Sequence, residues 1–343
     1  MSPFLIISGM HRSGTSFLAR ALNLSGVYLG RSQQLTHTDV NPHPTNAYGH
    51  WEHERLQSLA DETLALTGGT WDDVPETIKV TEEIGSAVAD EVRLLQTPVS
   101  FASGFKDPRT LLVYDAWQPY LPEDAVMIAI FRDPESVVRS LDKRDGFDRD
   151  KSLRLWSDYN RRLLDLIERE DGYLLDFSWP VEQLSKELAW ICEQLHLPYI
   201  GIEQWYNPRL VTEQEHRASP AVSAEIAQLY QALQDRALQN RSFPLALAAP
   251  TAETLAEISK SLLQRLEEQA LFFRKVHDAD EAQALIERQQ AYINYLEDKH
   301  NIEALNAHIA NLQASLDAIE NSRTWKILRW IDKLLGRPAT NTH

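Results

Sequence analysis

Cysteine is almost missing from this chain: Cys192 stands alone among 343 residues, which excludes an internal disulfide. Long apolar runs are missing as well, and no stretch approaches the ~20 residues of a membrane span. The first apolar run, Phe4-Leu5-Ile6-Ile7, is short and has no basic stretch ahead of it. It therefore reads as a strand and not as a signal peptide, and the expected compartment is the cytoplasm. Positive charge is scarce: 34 Lys and Arg against 50 Asp and Glu leave a formal charge of -16, which argues against nucleic acid as a partner. Any anion must be held by local basic residues and not by the field of the whole protein. The length suffices for one large domain and something smaller.

What is present begins at once. The strand runs into Ser8-Gly9-Met10-His11-Arg12-Ser13-Gly14-Thr15-Ser16, a glycine-punctuated loop that opens a helix. Gly9 and Gly14 let successive N–H groups point into one concavity, and the helix beginning near Thr15 adds its positive end, so the loop suits an anion. The spacing satisfies the first part of G-x-x-x-x-G-K-[ST], but Thr15 occupies the lysine position and the nearby cation is Arg12. A terminal phosphate held with magnesium uses that lysine, a metal-binding hydroxyl and a carboxylate at a strand end. An arginine with hydroxyls from Ser13, Thr15 and Ser16 suits a group of lower charge that needs no metal, such as a sulfuryl group.

Up to about residue 245 the chain alternates strand and helix. Phe17, Leu18, Ala21, Leu22 and Leu24 form an apolar helical face stopped by Gly26. A strand is expected at 99–105, ending in the turn Lys106-Asp107-Pro108-Arg109, and another at 125–131, a continuous apolar run as in a strand covered on both faces. Arg132 follows, then Asp133 as an N-cap with Pro134 at the first helical position, opening a helix through Ser140. Residues 153–167 read as a helix, 173–177 as a strand, and 181–195 as a helix entered at Pro180. The expected fold is α/β, a mostly parallel sheet flanked by helices with ligands at the carboxyl ends of its strands.

These residues resemble the sulfotransferases that use 3'-phosphoadenosine 5'-phosphosulfate (PAPS). The loop at 9–16 is similar to their 5'-phosphosulfate loop, in the variant with arginine at the usual lysine position. Arg132 and Ser140, eight residues apart across a strand-to-helix junction, are similar to their 3'-phosphate site, and Lys106-Asp107-Pro108-Arg109 recurs in bacterial members. The resemblance covers about two thirds of the chain. It implies PAPS as co-substrate, adenosine 3',5'-bisphosphate as product, no metal, and a cofactor site of Gly9, His11, Arg12, Ser13, Gly14, Thr15, Ser16, Lys106, Arg109, Arg132 and Ser140. Chemically, Arg132 can fork two N–H bonds onto a phosphate while Ser140 adds a hydroxyl. Pairing of Arg132 with Asp133 or Glu135 is the ordinary structural alternative.

Arg12 is the candidate for stabilising charge on the bridging oxygen during transfer. The acceptor hydroxyl needs a base. Glu52, in Asn46-Ala47-Tyr48-Gly49-His50-Trp51-Glu52-His53-Glu54, lies in a segment that looks like one carrying an acidic residue into the site of many bacterial members. Asp107 is its rival, unless Lys106 and Arg109 neutralise it, and His50 and His53 stay open as alternatives. The spacing His50-x-x-His53 could set two imidazoles on one helical face, yet no cysteine is near and the surrounding Asn, Pro and Thr suggest an irregular loop, so no metal is expected. Trp51, Trp71, Trp117 and Trp156 are core or acceptor-cleft aromatics, with core the better reading for any one of them.

A boundary falls near Phe243-Pro244-Leu245, and composition then shifts to Leu, Ala, Glu and Gln. Ile302, Leu305, Ile309, Leu312, Leu316 and Ile319 alternate gaps of three and four, a coiled-coil seam that points to a homo-oligomer; a hairpin folded on the catalytic domain is the alternative. Beyond it, a basic amphipathic segment with Trp325, Lys326, Leu328, Arg329, Lys333 and Leu335 suits an anionic membrane surface or a dimer cap. This tail resembles those of bacterial enzymes of surface-polysaccharide assembly. The expected organisation is a catalytic domain at 1–245, a helical extension at 251–321 and a tail at 322–343. The expected activity is sulfuryl transfer to a hydroxyl of a surface saccharide or lipid-linked glycan. A P-loop kinase or nucleotidase, with Asp133 holding magnesium, and a non-catalytic nucleotide-binding scaffold are the rivals.

Overall fold

The computed structural model describes residues 2–31, 34–36, 49–97, 99–199, 201–202, 222–245, 247, 249–251, 253–258 and 260–261. The chain divides into two compact units, Met1–Leu285 and Ile286–His343. The second unit, with the heptads at 302–319 and the basic tail at 322–343, lies outside the described residues.

The first unit is a parallel-dominated sheet flanked by helices. Its strands are β1 (Phe4–Ser8), β2 (Val27–Tyr28), β3 (Leu35–Thr36), β4 (Glu52–His53), β5 (Ala102–Lys106), β6 (Val126–Phe131) and β7 (Tyr173–Asp176), in the order β3-β4-β5-β1-β6-β7 with β2 pairing β5. Every described pairing is parallel except β3 with β4. All residues of β1, β5, β6 and β7 are buried, as continuous apolar strands are when helices cover both faces. The helices are α1 (Thr15–Leu24), α2 (Glu54–Ala65), α3 (Glu82–Gln96), α4 (Thr110–Trp117), α5 (Pro134–Asp145), α6 (Arg149–Arg169), α7 (Val181–Gln194) and α8 (Ala224–Ala237).

Local chemistry sets the helix ends. Asp133 accepts a bond from the Ser136 N–H at 2.8 Å with Pro134 at the first helical position, so α5 starts where the sequence marks it. The helix runs five residues past the expected Ser140 and closes at Gly146, whose φ of +68° is left-handed. Asp148 caps α6 through the Lys151 N–H at 2.7 Å, and Leu155, Trp156, Tyr159, Leu163, Leu166 and Ile167 then recur on its buried face. The strand expected at 99–105 begins at Ala102 and takes in Lys106, so that lysine ends a strand and does not open the turn. The end of the stretch read as an irregular loop forms β4 and the start of α2, because Glu52 pairs in register with Lys106 and sheet pairing overrides local composition. His50 and His53 therefore do not share a helical face.

The sheet order places β1 between β5, on one side, and β6, on the other, which makes the carboxyl ends of these three strands a topological switch point. The glycine loop, Lys106-Asp107 and Arg132 all leave the sheet there.

Candidate functional site

Backbone geometry makes the loop. Gly9 sits at φ +145°, and a Cβ there would lie 2.1 Å from the Ile130 carbonyl oxygen of β6. Gly14, at φ +93°, leaves no room either, since a Cβ would come within 2.6 Å of the Phe177 ring. Between them Arg12 takes a left-handed φ of +68° without glycine's freedom, a strained conformation of the kind that clusters at ligand clamps. The strain aims its side chain: Arg12 Nε donates to Ser140 Oγ at 2.7 Å, across 128 residues of sequence. The loop after β1 and the helix after β6, predicted as separate halves of an anion site, are thus in direct contact. Ser13 Oγ is buried with no hydrogen-bond partner, whereas Ser16 Oγ donates to the His50 carbonyl at 3.4 Å and Thr15 is buried at the head of α1.

Cations gather around this loop. Burial, then the like charges of Arg144 and Arg132, push the Arg12 guanidinium down to about 10 against a partial offset from Asp145, so it stays charged at neutral pH. Arg132 is buried, with its guanidinium 5.5 Å from the Phe177 ring centroid and Nε 4.0 Å from Asp133 Oδ2. Burial, followed by Arg109, Arg144, Lys106 and Arg12, holds His11 well below the ordinary imidazole value, and the ring is neutral. It packs between Trp71, at 4.5 Å, and Tyr159, at 5.8 Å, with Nε2 unpartnered.

The β4–β5 side is made of ion pairs. The register of Glu52 with Lys106 brings Nζ to 2.5 Å from Glu52 Oε1, and Nζ also donates to the His50 carbonyl at 2.8 Å. Thr36 Oγ1 donates to Glu52 Oε2 at 2.9 Å. Burial works to raise the Glu52 carboxyl, but Lys106, by charge and hydrogen bond, together with His50 and Thr36, holds it below the usual range. Asp107 behaves oppositely. Its Oδ1 accepts from the Arg109 N–H at 2.8 Å and Nη1 at 3.2 Å, Oδ2 is buried and unpartnered, and burial raises the carboxyl against the opposing charge of Arg109, with the like charge of Glu52 on the side of burial and Lys106 on that of Arg109. Arg109 reaches on to Asp61 Oδ1 at 2.7 Å.

The residues expected to bind the cofactor or act as base lie on the loop, at or just beyond the ends of β4, β5 and β6, or on α5. The local signals did not expose Thr36, Asp61, Tyr159 and Phe177, which reach the site only through tertiary packing. Trp51, Trp117 and Trp156 are buried, while Trp71 is half-buried beside His11. His53 is buried with both ring nitrogens unpartnered and is pushed by burial to about 4. Among the described residues no group of three His, Cys, Asp or Glu could hold a metal ion.

No protein-family model and no curated protein matches the chain. Among solved structures it is similar to the sulfotransferase domain of the Synechococcus PCC 7002 olefin synthase, at 18% identity, covering 72% of this chain and 96% of that one, with a TM-score of 0.41. It is also similar to the sulfotransferase domain of the curacin biosynthetic pathway, at 15% identity, 77% and 97% coverage and a TM-score of 0.34.

Proposed function

We propose that this chain transfers a sulfuryl group from PAPS to an acceptor hydroxyl. The observation that carries the reading is the 2.7 Å bond from Arg12 to Ser140, which makes one site of the glycine loop and the Arg132/Ser140 junction. A site reaching from a phosphosulfate to a 3'-phosphate needs both. The residues fit that ligand: Ser13 Oγ is a buried donor without a partner, and the Gly9 and Gly14 positions form a cradle in which any Cβ would clash.

When bound, PAPS supplies the sulfuryl group and leaves as adenosine 3',5'-bisphosphate. The acceptor oxygen forms the new S–O bond, the S–O bond to the 5'-phosphate breaks, and the hydroxyl proton passes to a carboxylate. Glu52 is our candidate for that base, since it is ionised and stands on β4, with only β5 between it and the strand that feeds the loop, and Lys106 beside it compensates its charge. Asp107, with Oδ2 uncommitted, is the second. Arg12 and the loop N–H groups face the departing phosphate, and loss of one such preorganised donor costs ~3–4 kcal/mol. Arg132 and Ser140 hold the 3'-phosphate. Against a kinase, the carboxylate that would hold magnesium, Asp133, already caps α5 through Ser136.

The acceptor we favour is a surface saccharide or lipid-linked glycan, on the likeness of the basic tail at 322–343, which also suits a peripheral membrane contact, and the heptads at 302–319 support a homo-oligomer. Thermal unfolding with adenosine 3',5'-bisphosphate, free of magnesium, tests the cofactor, and turnover of labelled PAPS tests the reaction. The melting temperature should rise through preferential binding to the folded state. Equal stabilisation by ATP, and only with magnesium, would overturn the reading in favour of the kinase.

A further inference from the structure

The exposed end of α5 carries a cation that the PAPS reading leaves unused. Arg144 stands one turn beyond Ser140, at the i, i+4 spacing that shares a helix face, and is solvent-exposed. Its guanidinium lies over the Trp71 ring, 5.3 Å from the centroid, and Nε donates to Asp145 Oδ2 at 2.7 Å. Among the described residues it makes no other hydrogen bond. Trp71 is itself fixed: His11 packs on it at 4.5 Å, Phe147 stacks at 5.8 Å and 28°, and its carbonyl accepts from the Tyr159 hydroxyl at 2.8 Å. The line Arg144–Trp71–His11 therefore runs from α5 to the residue preceding Arg12.

Two physical features make this more than a surface cation. An aromatic ring under a guanidinium fixes its plane, so the terminal N–H groups are pre-organised for a planar or tetrahedral oxyanion. In addition, Arg144 is set where its charge bears on Arg12 and on His11, in a protein whose net charge is -16. Gathering like charges costs free energy that an anion relieves. The nucleotide's phosphates already have Arg12 and Arg132. Trp71, for its part, comes from the connection between α2 and α3, and Tyr159, which donates to its carbonyl, is buried within reach of the charges of Arg109, Asp107, Asp72 and Asp61.

We propose that Arg144, set in place by Trp71, holds an oxyanion of the acceptor, a carboxylate or a phosphate, so that the enzyme selects an anionic hydroxyl compound. This rests on the sulfotransferase reading. The test compares three acceptors in full-length protein by release of adenosine 3',5'-bisphosphate from PAPS: p-nitrophenyl glucuronide, p-nitrophenyl glucoside 6-phosphate and uncharged p-nitrophenyl glucoside. One or both charged glycosides should exceed the neutral one in kcat/KM by roughly tenfold or more, the worth of a charge-assisted hydrogen bond, chiefly through KM. Which of the two leads identifies the anion as carboxylate or phosphate. Arg144→Gln should bring the ratio near one and Arg144→Lys should keep part of it, both with unchanged thermal stabilisation by the bisphosphate, and Trp71→Leu should lower the ratio. Equal use of the three glycosides by the unaltered chain, or a preference that survives Arg144→Gln, overturns the anchor. Loss of bisphosphate stabilisation in Arg144→Gln overturns it too, by assigning Arg144 to the nucleotide. An unaltered chain that ignores the bisphosphate overturns instead the reading beneath.

Discussion

On the β6 side of the crevice, main chain and helix ends set the shape, through Gly9, Gly14 and the Asp133 cap, and present Arg12, Arg132 and Ser140; on the β4–β5 side the shape rests on side chains paired across the fold. Glu52 and Lys106 are 54 residues apart in sequence, and Asp61 and Arg109 are 48 apart. The first kind of site keeps its shape when one side chain changes. The second depends on charges that compensate each other out of water, so removing one leaves the other exposed to its full desolvation cost. The two sides should therefore fail differently.

The largest contrast is expected at Glu52. Replacing it by Gln leaves Lys106, 2% exposed, without its counter-charge, and breaking a buried pair of this kind costs about 3–5 kcal/mol. Urea unfolding should show that loss, and the double variant Glu52→Gln, Lys106→Met should regain much of it. If the single variant is as stable as the parent, the ion pair does not hold this side of the crevice together.

On the other side, Arg132→Ala should cost binding and leave folding nearly unchanged. The bisphosphate should bind more weakly by about 1.5–3 kcal/mol, the value of a charged hydrogen bond, while an analogue without the 3'-phosphate should bind as before. Titration calorimetry with the two nucleotides separates these outcomes, and an equal loss for both would place Arg132 on some other part of the ligand.

Acid should also weaken the side built of side chains. His53 is buried without a partner at about 4, against 6.5 in the unfolded chain, so between those values the unfolded state binds the extra proton and stability falls as pH falls. His11 acts with the same sign. Asp107 and Asp176, both raised by burial, oppose it, because their folded forms hold protons more firmly. The His53 contribution is isolated by comparison: from pH 7.5 to 5 the parent should lose about 2 kcal/mol more than His53→Leu does. Parallel losses in the two proteins would mean that His53 is not the titrating group.

The same division governs what the sequence discloses. The strand-loop-helix at the start, the apolar run of β6 and the Asp133-Pro134 cap are written within a few residues, and each is where local rules put it. Strands β2, β3 and β4 are two residues long, too short to leave a period. Helix α2 does carry its period, in Leu56, Leu59, Ala60 and Leu64, but its start depends on β4, and β4 exists because of Lys106 far along the chain. Thr36 and Asp61 become visible as partners of Glu52 and Arg109 only once the sheet register is known. Arg12 and Ser140 could each be named from the sequence, but not their contact.

The smallest effect decides a chemical question. Asp133 is the residue on which a magnesium-dependent reading depends, and here Oδ1 accepts from the Ser136 N–H while Oδ2 lies 3.4 Å from Ser178 Oγ. Asparagine caps helices about as well as aspartate, so Asp133→Asn should lose only a few tenths of a kcal/mol, from the helix dipole and the 4.0 Å approach of Arg132, whereas Asp133→Ala should lose about 1 kcal/mol. Bisphosphate affinity should be unchanged in Asp133→Asn, with or without magnesium. A metal-holding carboxylate answers otherwise, because the amide has no charge to offer the ion. Nucleotide binding that depends on magnesium in the parent and collapses in Asp133→Asn would move the chemistry from the loop's arginine to the end of β6.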